Sequence, residues 1–193
     1  MLNPRGTGLP GGLISLAMEI HMDNIAAGWW KKDANGTTIP RDFGNLLALV
    51  HSEISEADHG WMGALMDDKV PHRTMFEVEL ADTAIRTLDI LGFCAALIPE
   101  MKSTTSPLSL EGSTHGDWIR LMHRCTTDAL EGFRKGHLRN GVNGLIDLLT
   151  ALHWAAIRFR LDLVGAIESK RRYNAVRSDH KPENRAAEGG KKW

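Results

Sequence analysis

Cysteine, long apolar runs and an excess of one charge are all scarce in this sequence. Its 193 residues include two cysteines, Cys94 and Cys125, too few for a disulfide framework or a cysteine-rich zinc site. The longest apolar run, residues 90–98, is nine residues long and too short to cross a bilayer. Lys plus Arg number 23 and Asp plus Glu 24, so the net charge of −1 lacks the basic excess of a general nucleic-acid binder. These absences predict a protein that acts on neither membranes nor nucleic acid.

Export is not indicated either, because residues 1–12, MLNPRGTGLPGG, show no apolar signal core after a basic start. We therefore expect a cytoplasmic protein. Apolar residues make up 42% and charged residues 24%, which is ordinary globular usage. The length and composition predict one domain over residues 1–178 and a flexible tail over 179–193.

Helical spacing dominates the apolar pattern, and almost no stretch alternates as a strand does. Proline and glycine separate the helical stretches, and Asp42 and Asp162 stand at positions suited to N-caps. The sequence predicts an all-α bundle of five to six helices. The predicted helices cover about 13–30, 42–63, 74–98, 116–136, 141–160 and 162–177.

Two glutamates interrupt the apolar pattern of the second predicted helix. At 100° per residue, Glu53 projects between Leu46 and Leu49 within the apolar stripe, and Glu56 lies at its edge. Burying a lone carboxylate costs several kcal/mol unless it is paired, protonated or bound to a cation. Glu53 therefore needs a partner inside the protein.

The third predicted helix repeats this anomaly. It is apolar around most of its circumference, yet one arc of about 80° holds Glu79, Asp82, Arg86 and Asp89. Ion pairs with Arg86 are one explanation of these acids. Packing against the second helix would gather four carboxylates, which repel unless a divalent cation neutralises them. Hard oxygen ligands favour Mg²⁺, with Mn²⁺ as a second candidate.

The last predicted helix supplies the opposite charge. Lys170, Asn174 and Arg177 extend its inward apolar stripe at helical spacing. Such a row suits an anion, and arginine in particular binds phosphate through two hydrogen bonds. The alternative is that the basic side chains only extend from a helix end into solvent and favour its dipole.

The four acids form two short motifs, Glu53-x-x-Glu56 and Glu79-x-x-Asp82, which are separated by 22 residues. This arrangement resembles the ExxE…ExxD motif of the all-α nucleoside triphosphate pyrophosphohydrolases. The short MazG-like members are the most similar. GWW at 28–30, VELADTAIRTLDIL at 78–91 and DLVGAIESKRRYNAVR at 162–177 resemble further family segments in the same order. About 50 residues, roughly 100–150, form an insert that is atypical of the family and predicts an added helical hairpin.

The resemblance implies Mg²⁺-dependent hydrolysis of (deoxy)nucleoside triphosphates to the monophosphate and pyrophosphate. It implies that the four acids of the motif hold the metal, with either Glu53 or Glu56 as the general base. Lys170, Asn174 and Arg177 are then expected to contact the substrate. Asp89 and Arg86 are expected to orient ligands of the metal. The resemblance also implies a homodimer or higher assembly.

Trp29, Trp30 and Trp61 are candidates for stacking on a base, with Trp30 and Trp61 preferred, against the alternative of core anchors at helix ends.

Two other readings compete with hydrolysis. Residues 56–59 form an ExxH, as in di-iron bundles, but such proteins need a second ExxH and the sequence has none. A non-catalytic helical protein that binds nucleotides or a partner, with the acids in structural ion pairs, is the stronger alternative.

Overall fold

The computed structural model describes residues 11–97 and 114–177, and these form six helices and no strand. The predicted all-α class is therefore confirmed, whereas the predicted tail, 179–193, lies outside the described residues. None of the described helices is long and apolar enough to cross a membrane. The helices are α1 Gly11–Ala26, α2 Phe43–Met62, α3 Met75–Leu97, α4 His115–Arg134, α5 Leu138–Phe159 and α6 Leu163–Val176.

Both predicted aspartate caps are present. The Asp42 carboxylate accepts a hydrogen bond from the backbone N–H of Asn45, and that of Asp162 accepts one from Gly165. These bonds satisfy N–H groups that have no partner within the helix. The first residues of α2 and α6 are therefore fixed by local chemistry, and these are the two helices that carry Glu53 and Lys170.

The first helix ends earlier than the sequence predicted. Spacing predicted a helix over 13–30, but α1 is Gly11–Ala26. Gly28 adopts the left-handed conformation, with φ of 76°, and the N–H of Trp29 donates to the carbonyl of Asn24 at 2.9 Å. This is a Schellman ending, which turns the chain away from the helix axis. The following segment can therefore return along the bundle.

The third helix is the centre of the bundle. It packs against α1, α2, α5 and α6. Phe43 at the start of α2 lies near Phe93 at the end of α3, and Trp61 at the end of α2 contacts Phe76 at the start of α3. Helices α2 and α3 are therefore antiparallel neighbours, as the clustering of their acids requires.

The described part of the predicted insert, 114–150, belongs to the helical hairpin of α4 and α5. Its helices approach closely because Gly132, Gly141 and Gly144 lie at their contact. A Cβ at Gly144 would lie 2.5 Å from the backbone nitrogen of Ala129. The hairpin packs on the α2 and α3 side of the bundle.

A close contact between α1 and α3 gives a test of this packing. A Cβ at Gly92 would collide with the backbone carbonyl oxygen of Ala17 and lie 2.6 Å from the Cβ of His21. Backbone atoms cannot move aside cheaply, so we expect Gly92→Ala to lower the free energy of unfolding by about 1–3 kcal/mol. Gly12→Ala on α1 has open space around its new Cβ and is the matched control. Urea denaturation of both variants measures the difference, and equal stability would contradict this packing.

Candidate metal and nucleotide site

Three glutamates meet between α2 and α3. Glu53 and Glu56, one turn apart on α2, and Glu79 on α3 each offer a carboxylate oxygen within 4.8 Å of the other two. We call these three residues the acid triad. Glu53 and Glu79 are 6% and 4% exposed, whereas Glu56 faces solvent. Two buried acids and one exposed acid form a cluster that opens to the surface.

Internal partners compensate part of this negative charge. Arg86 places both Nε and Nη2 2.6 Å from Oε1 of Glu53. Burial, the hydrogen bond with Glu53 and the charge of Asp82 raise the pKa of Glu79 to about 9. Glu79 therefore carries a proton at neutral pH when no cation is bound. A divalent cation would replace that proton, because carboxylate ligands bind metal in the ionised form.

Asp82, the fourth acid of the motif, forms an ion pair rather than joining the acid triad. Its Oδ2 lies 2.7 Å from Nζ of Lys170, and Lys170 is 3% exposed. Burial raises the pKa of Asp82 to about 6, against the opposing effect of the Lys170 charge. Burial also lowers the pKa of Lys170, but Asp82 and Glu79 outweigh it, so this pKa is raised. The pair holds a charged ammonium beside the acids.

A cavity of about 130 Å³ extends along α3 from Asp82, and neither Lys170 nor the acid triad is among the described residues that line it. Asp82 and Arg86 line it at one end, and Asp89 lines it two helical turns further on. Asn174 and Arg177 line it from the side of α6. The Oδ1 atom of Asn174 is buried without a hydrogen-bond partner among the described residues, so it can accept a bond from a ligand.

Asp89 organises the far end of the cavity. Both of its carboxylate oxygens accept from Nε1 of Trp30 at 3.0 Å, and Oδ1 lies 2.7 Å from Nδ1 of His21. Trp30 is 2% exposed and stacks on Phe93 with ring centroids 4.8 Å apart. The structure thus places Trp30 in the core, where it anchors the segment between α1 and α2. Asp89 is a structural link at this end of the cavity, not a neighbour of the acid triad.

Trp61 lies in a different environment. It is 41% exposed and stacks on His115 with ring centroids 4.6 Å apart. Phe76 and Phe159 pack against the same ring. This aromatic cluster joins the ends of α2 and α5 to the start of α4, so the structure does not bring Trp61 to the cavity.

Sequence reasoning did not single out His21 or Arg41, and it also passed over Asn24, which lines the cavity. His21 shares the inward side of α1 with Ala17 at a spacing of four residues, so periodicity was a usable signal. Arg41 lines the cavity from the irregular segment before α2, where no periodicity applies. Only the folded path of that segment brings Arg41 to the site.

No family model, curated protein or solved structure matches this chain. The similarity to MazG-like proteins therefore rests on the motifs quoted from the sequence.

Proposed function

We propose that the protein hydrolyses nucleoside triphosphates to the monophosphate and pyrophosphate with Mg²⁺ held by the acid triad. The observation that carries this proposal is the convergence of three carboxylates within 4.8 Å beside a buried lysine. Enzymes of phosphoryl transfer hold a metal ion with carboxylates and bind the phosphate oxygens with a nearby basic side chain. The motif resemblance supports the same reaction.

The ligand set fits a hard divalent cation. All three groups of the acid triad offer oxygen, which Mg²⁺ and Mn²⁺ prefer, and no sulfur or imidazole competes within the triad. Mg²⁺ held there would neutralise phosphate charge and lower the pKa of a bound water. The exposed Glu56 is the member of the triad that can accept a proton from water, since Glu53 is engaged by Arg86.

Lys170 and its neighbours on α6 take the phosphate and sugar in this proposal. The ammonium of Lys170 is already held near the acids by Asp82. Little side-chain entropy is therefore lost when an anion binds. Arg177 supplies a guanidinium at the cavity wall. The unpartnered Oδ1 of Asn174 accepts from a sugar hydroxyl, because phosphate offers it no donor.

The alternative function, a non-catalytic binding protein, is favoured by two contacts. Glu53 pairs with Arg86 and Asp82 pairs with Lys170, so half of the four motif acids have an internal counter-charge. The hydrogen bond between a protonated Glu79 and Glu53 fits a structural cluster. A structural cluster does not explain why the exposed Glu56, which forms no ion pair within the described part of the chain, lies with them. Metal-dependent turnover separates the two functions.

The experiment incubates the purified protein with each of the eight common ribo- and deoxyribonucleoside triphosphates, with Mg²⁺ or with EDTA. Chromatography then resolves the products. We expect monophosphate and pyrophosphate with Mg²⁺ and no product with EDTA. Diphosphate with orthophosphate would place cleavage at the wrong bond, and no product from any nucleotide would favour the binding protein.

A homodimer or higher assembly stays a prediction from the family resemblance. Light scattering of the purified chain measures it directly, and a monomeric mass would contradict it.

A further inference from the structure

Arg41 is a half-buried cation that has no ion-pair partner in the described part of the chain. It is half-buried at the cavity wall, and its guanidinium lies 5.4 Å from the ring centroid of Trp30. Within residues 11–97 and 114–177 it forms no ion pair and no side-chain hydrogen bond. Burial lowers its pKa, and the nearby charge of Arg86 lowers it further against the pull of Asp89. A hydrogen-bond acceptor that enters the cavity would therefore stabilise this partly desolvated guanidinium.

The guanidinium is held on a rigid platform. Trp30 lies beneath it, and the indole N–H of Trp30 is fixed by both oxygens of Asp89 at 3.0 Å. The carboxylate of Asp89 accepts these bonds and also contacts His21. It forms no hydrogen bond with Arg41, so the N–H donors of Arg41 are available to a ligand. The donors of a planar guanidinium have a fixed geometry, which permits selection by shape.

The position of Arg41 assigns it to the base of a nucleotide. Asp82, next to Lys170, and Asp89, next to Trp30, lie seven residues apart on α3, which is about 10 Å along a helix. Phosphates bound at the acid triad and Lys170 would leave the base at the Arg41 end. Leu46, Leu49, Ile85 and Ile90 also line the cavity and offer apolar surface to a planar ring.

We propose that Arg41 selects nucleotides whose base carries a carbonyl oxygen at purine position 6 or pyrimidine position 4. A guanidinium has donors and no acceptor, so it bonds that oxygen and rejects the amino group of adenine or cytosine. Hypoxanthine, guanine, uracil and thymine are then preferred. This inference rests on the proposed function, since the acid triad fixes the position of the phosphates.

The test compares two pairs of substrates, ITP with ATP and UTP with CTP. The members of each pair differ mainly at the selected position of the base. We expect kcat/KM to favour ITP and UTP by about tenfold or more in the unaltered protein. Arg41→Ala is expected to abolish both preferences. Arg158→Ala is the matched control, because Arg158 is exposed and its guanidinium lies 5.6 Å from the Phe159 ring on α5. We expect it to keep both preferences.

A second readout does not depend on hydrolysis. Inosine and adenosine, which lack phosphate, are titrated against the same three proteins and followed by NMR. Tighter binding of inosine that is lost only in Arg41→Ala supports the inference, even where no triphosphate is cleaved and the proposed function has failed. Hydrolysis without either preference overturns the inference and leaves the proposed function standing. An equal loss for all bases in Arg41→Ala also overturns it, since Arg41 would then bind phosphate.

Discussion

Glu53→Gln is expected to lower kcat/KM for triphosphate hydrolysis by about a thousandfold. The change removes one negative charge from the acid triad and almost no volume. Glu53 is the member of the triad that is buried at 6% exposure and also bonded to Arg86, so its oxygens are the most firmly positioned. A neutral amide in that place binds Mg²⁺ weakly.

The fold is expected to survive this substitution. Arg86 loses an anionic partner, but its side chain is 38% exposed and can be hydrated instead. An amide oxygen still accepts a hydrogen bond from the guanidinium. We therefore expect the melting temperature in EDTA to change by only a few degrees, which circular dichroism measures.

Glu131→Gln is the matched control for the loss of an arginine-paired carboxylate. Glu131 on α4 accepts from Arg134 at 2.9 Å, as Glu53 accepts from Arg86, but it lies outside the cavity and the acid triad. We expect its turnover to equal that of the unaltered protein. Normal activity in Glu53→Gln, or an equal loss in Glu131→Gln, would refute the site.

Periodicity predicted the buried charges well because a helix fixes its side-chain directions. Glu53 was expected inside an apolar stripe and is buried, and Lys170 was expected on the inward side of its helix and is 3% exposed. Both expectations needed only the angle of 100° per residue. The antiparallel pairing of α2 and α3 then follows from the short connection between them.

Pairing between helices was beyond this argument. A helical wheel gives a direction but no axial position, so it could not tell that Arg86 reaches Glu53 or that Lys170 reaches Asp82. The irregular segment after α1 is harder still, because its path depends on the left-handed Gly28 and on tertiary contacts. Arg41 reaches the cavity along that path, and its neighbour Trp30 becomes a core residue.

In metal-free solution the protein is expected to lose stability as the pH rises from 7 to 8.5, because of Glu79. Folding raises the pKa of this carboxyl from 4.5 to about 9, so in this range the folded chain holds a proton that the unfolded chain has released. Unfolding then releases a proton, and the free energy of unfolding falls by about 1.4 kcal/mol per pH unit. The total of about 2 kcal/mol corresponds to a fall of several degrees in the melting temperature.

The range is chosen to isolate Glu79 from the other shifted groups. Asp82 titrates near pH 6, and the pKa values of His51 and His123 lie below the ordinary 6.5 because of burial. Burial raises the pKa values of Cys94 and Cys125 to about 12, and their unfolded value of 9.0 lies above the range. Among the described residues with a shifted pKa, Glu79 then contributes the largest slope.

Glu79→Gln tests both the proton and the metal. The neutral amide replaces a neutral carboxyl, so we expect melting temperatures in EDTA at pH 7 to be similar and the slope between pH 7 and 8.5 to disappear. Glu131→Gln is expected to keep the slope, because Arg134 and Lys135 hold the pKa of Glu131 at about 2.

Mg²⁺ is expected to raise the melting temperature of the unaltered protein and of Glu131→Gln. At a concentration 100 times the Kd, the free energy of unfolding rises by about 2.7 kcal/mol. Glu79→Gln is expected to lose most of that gain. The carboxyl of Glu79 can release its proton and bind the cation as a carboxylate, whereas the amide of glutamine cannot ionise. An equal Mg²⁺ gain in Glu79→Gln would show that Glu79 is not a ligand. A pH-independent melting temperature in the unaltered protein would show that the cluster holds no proton to exchange.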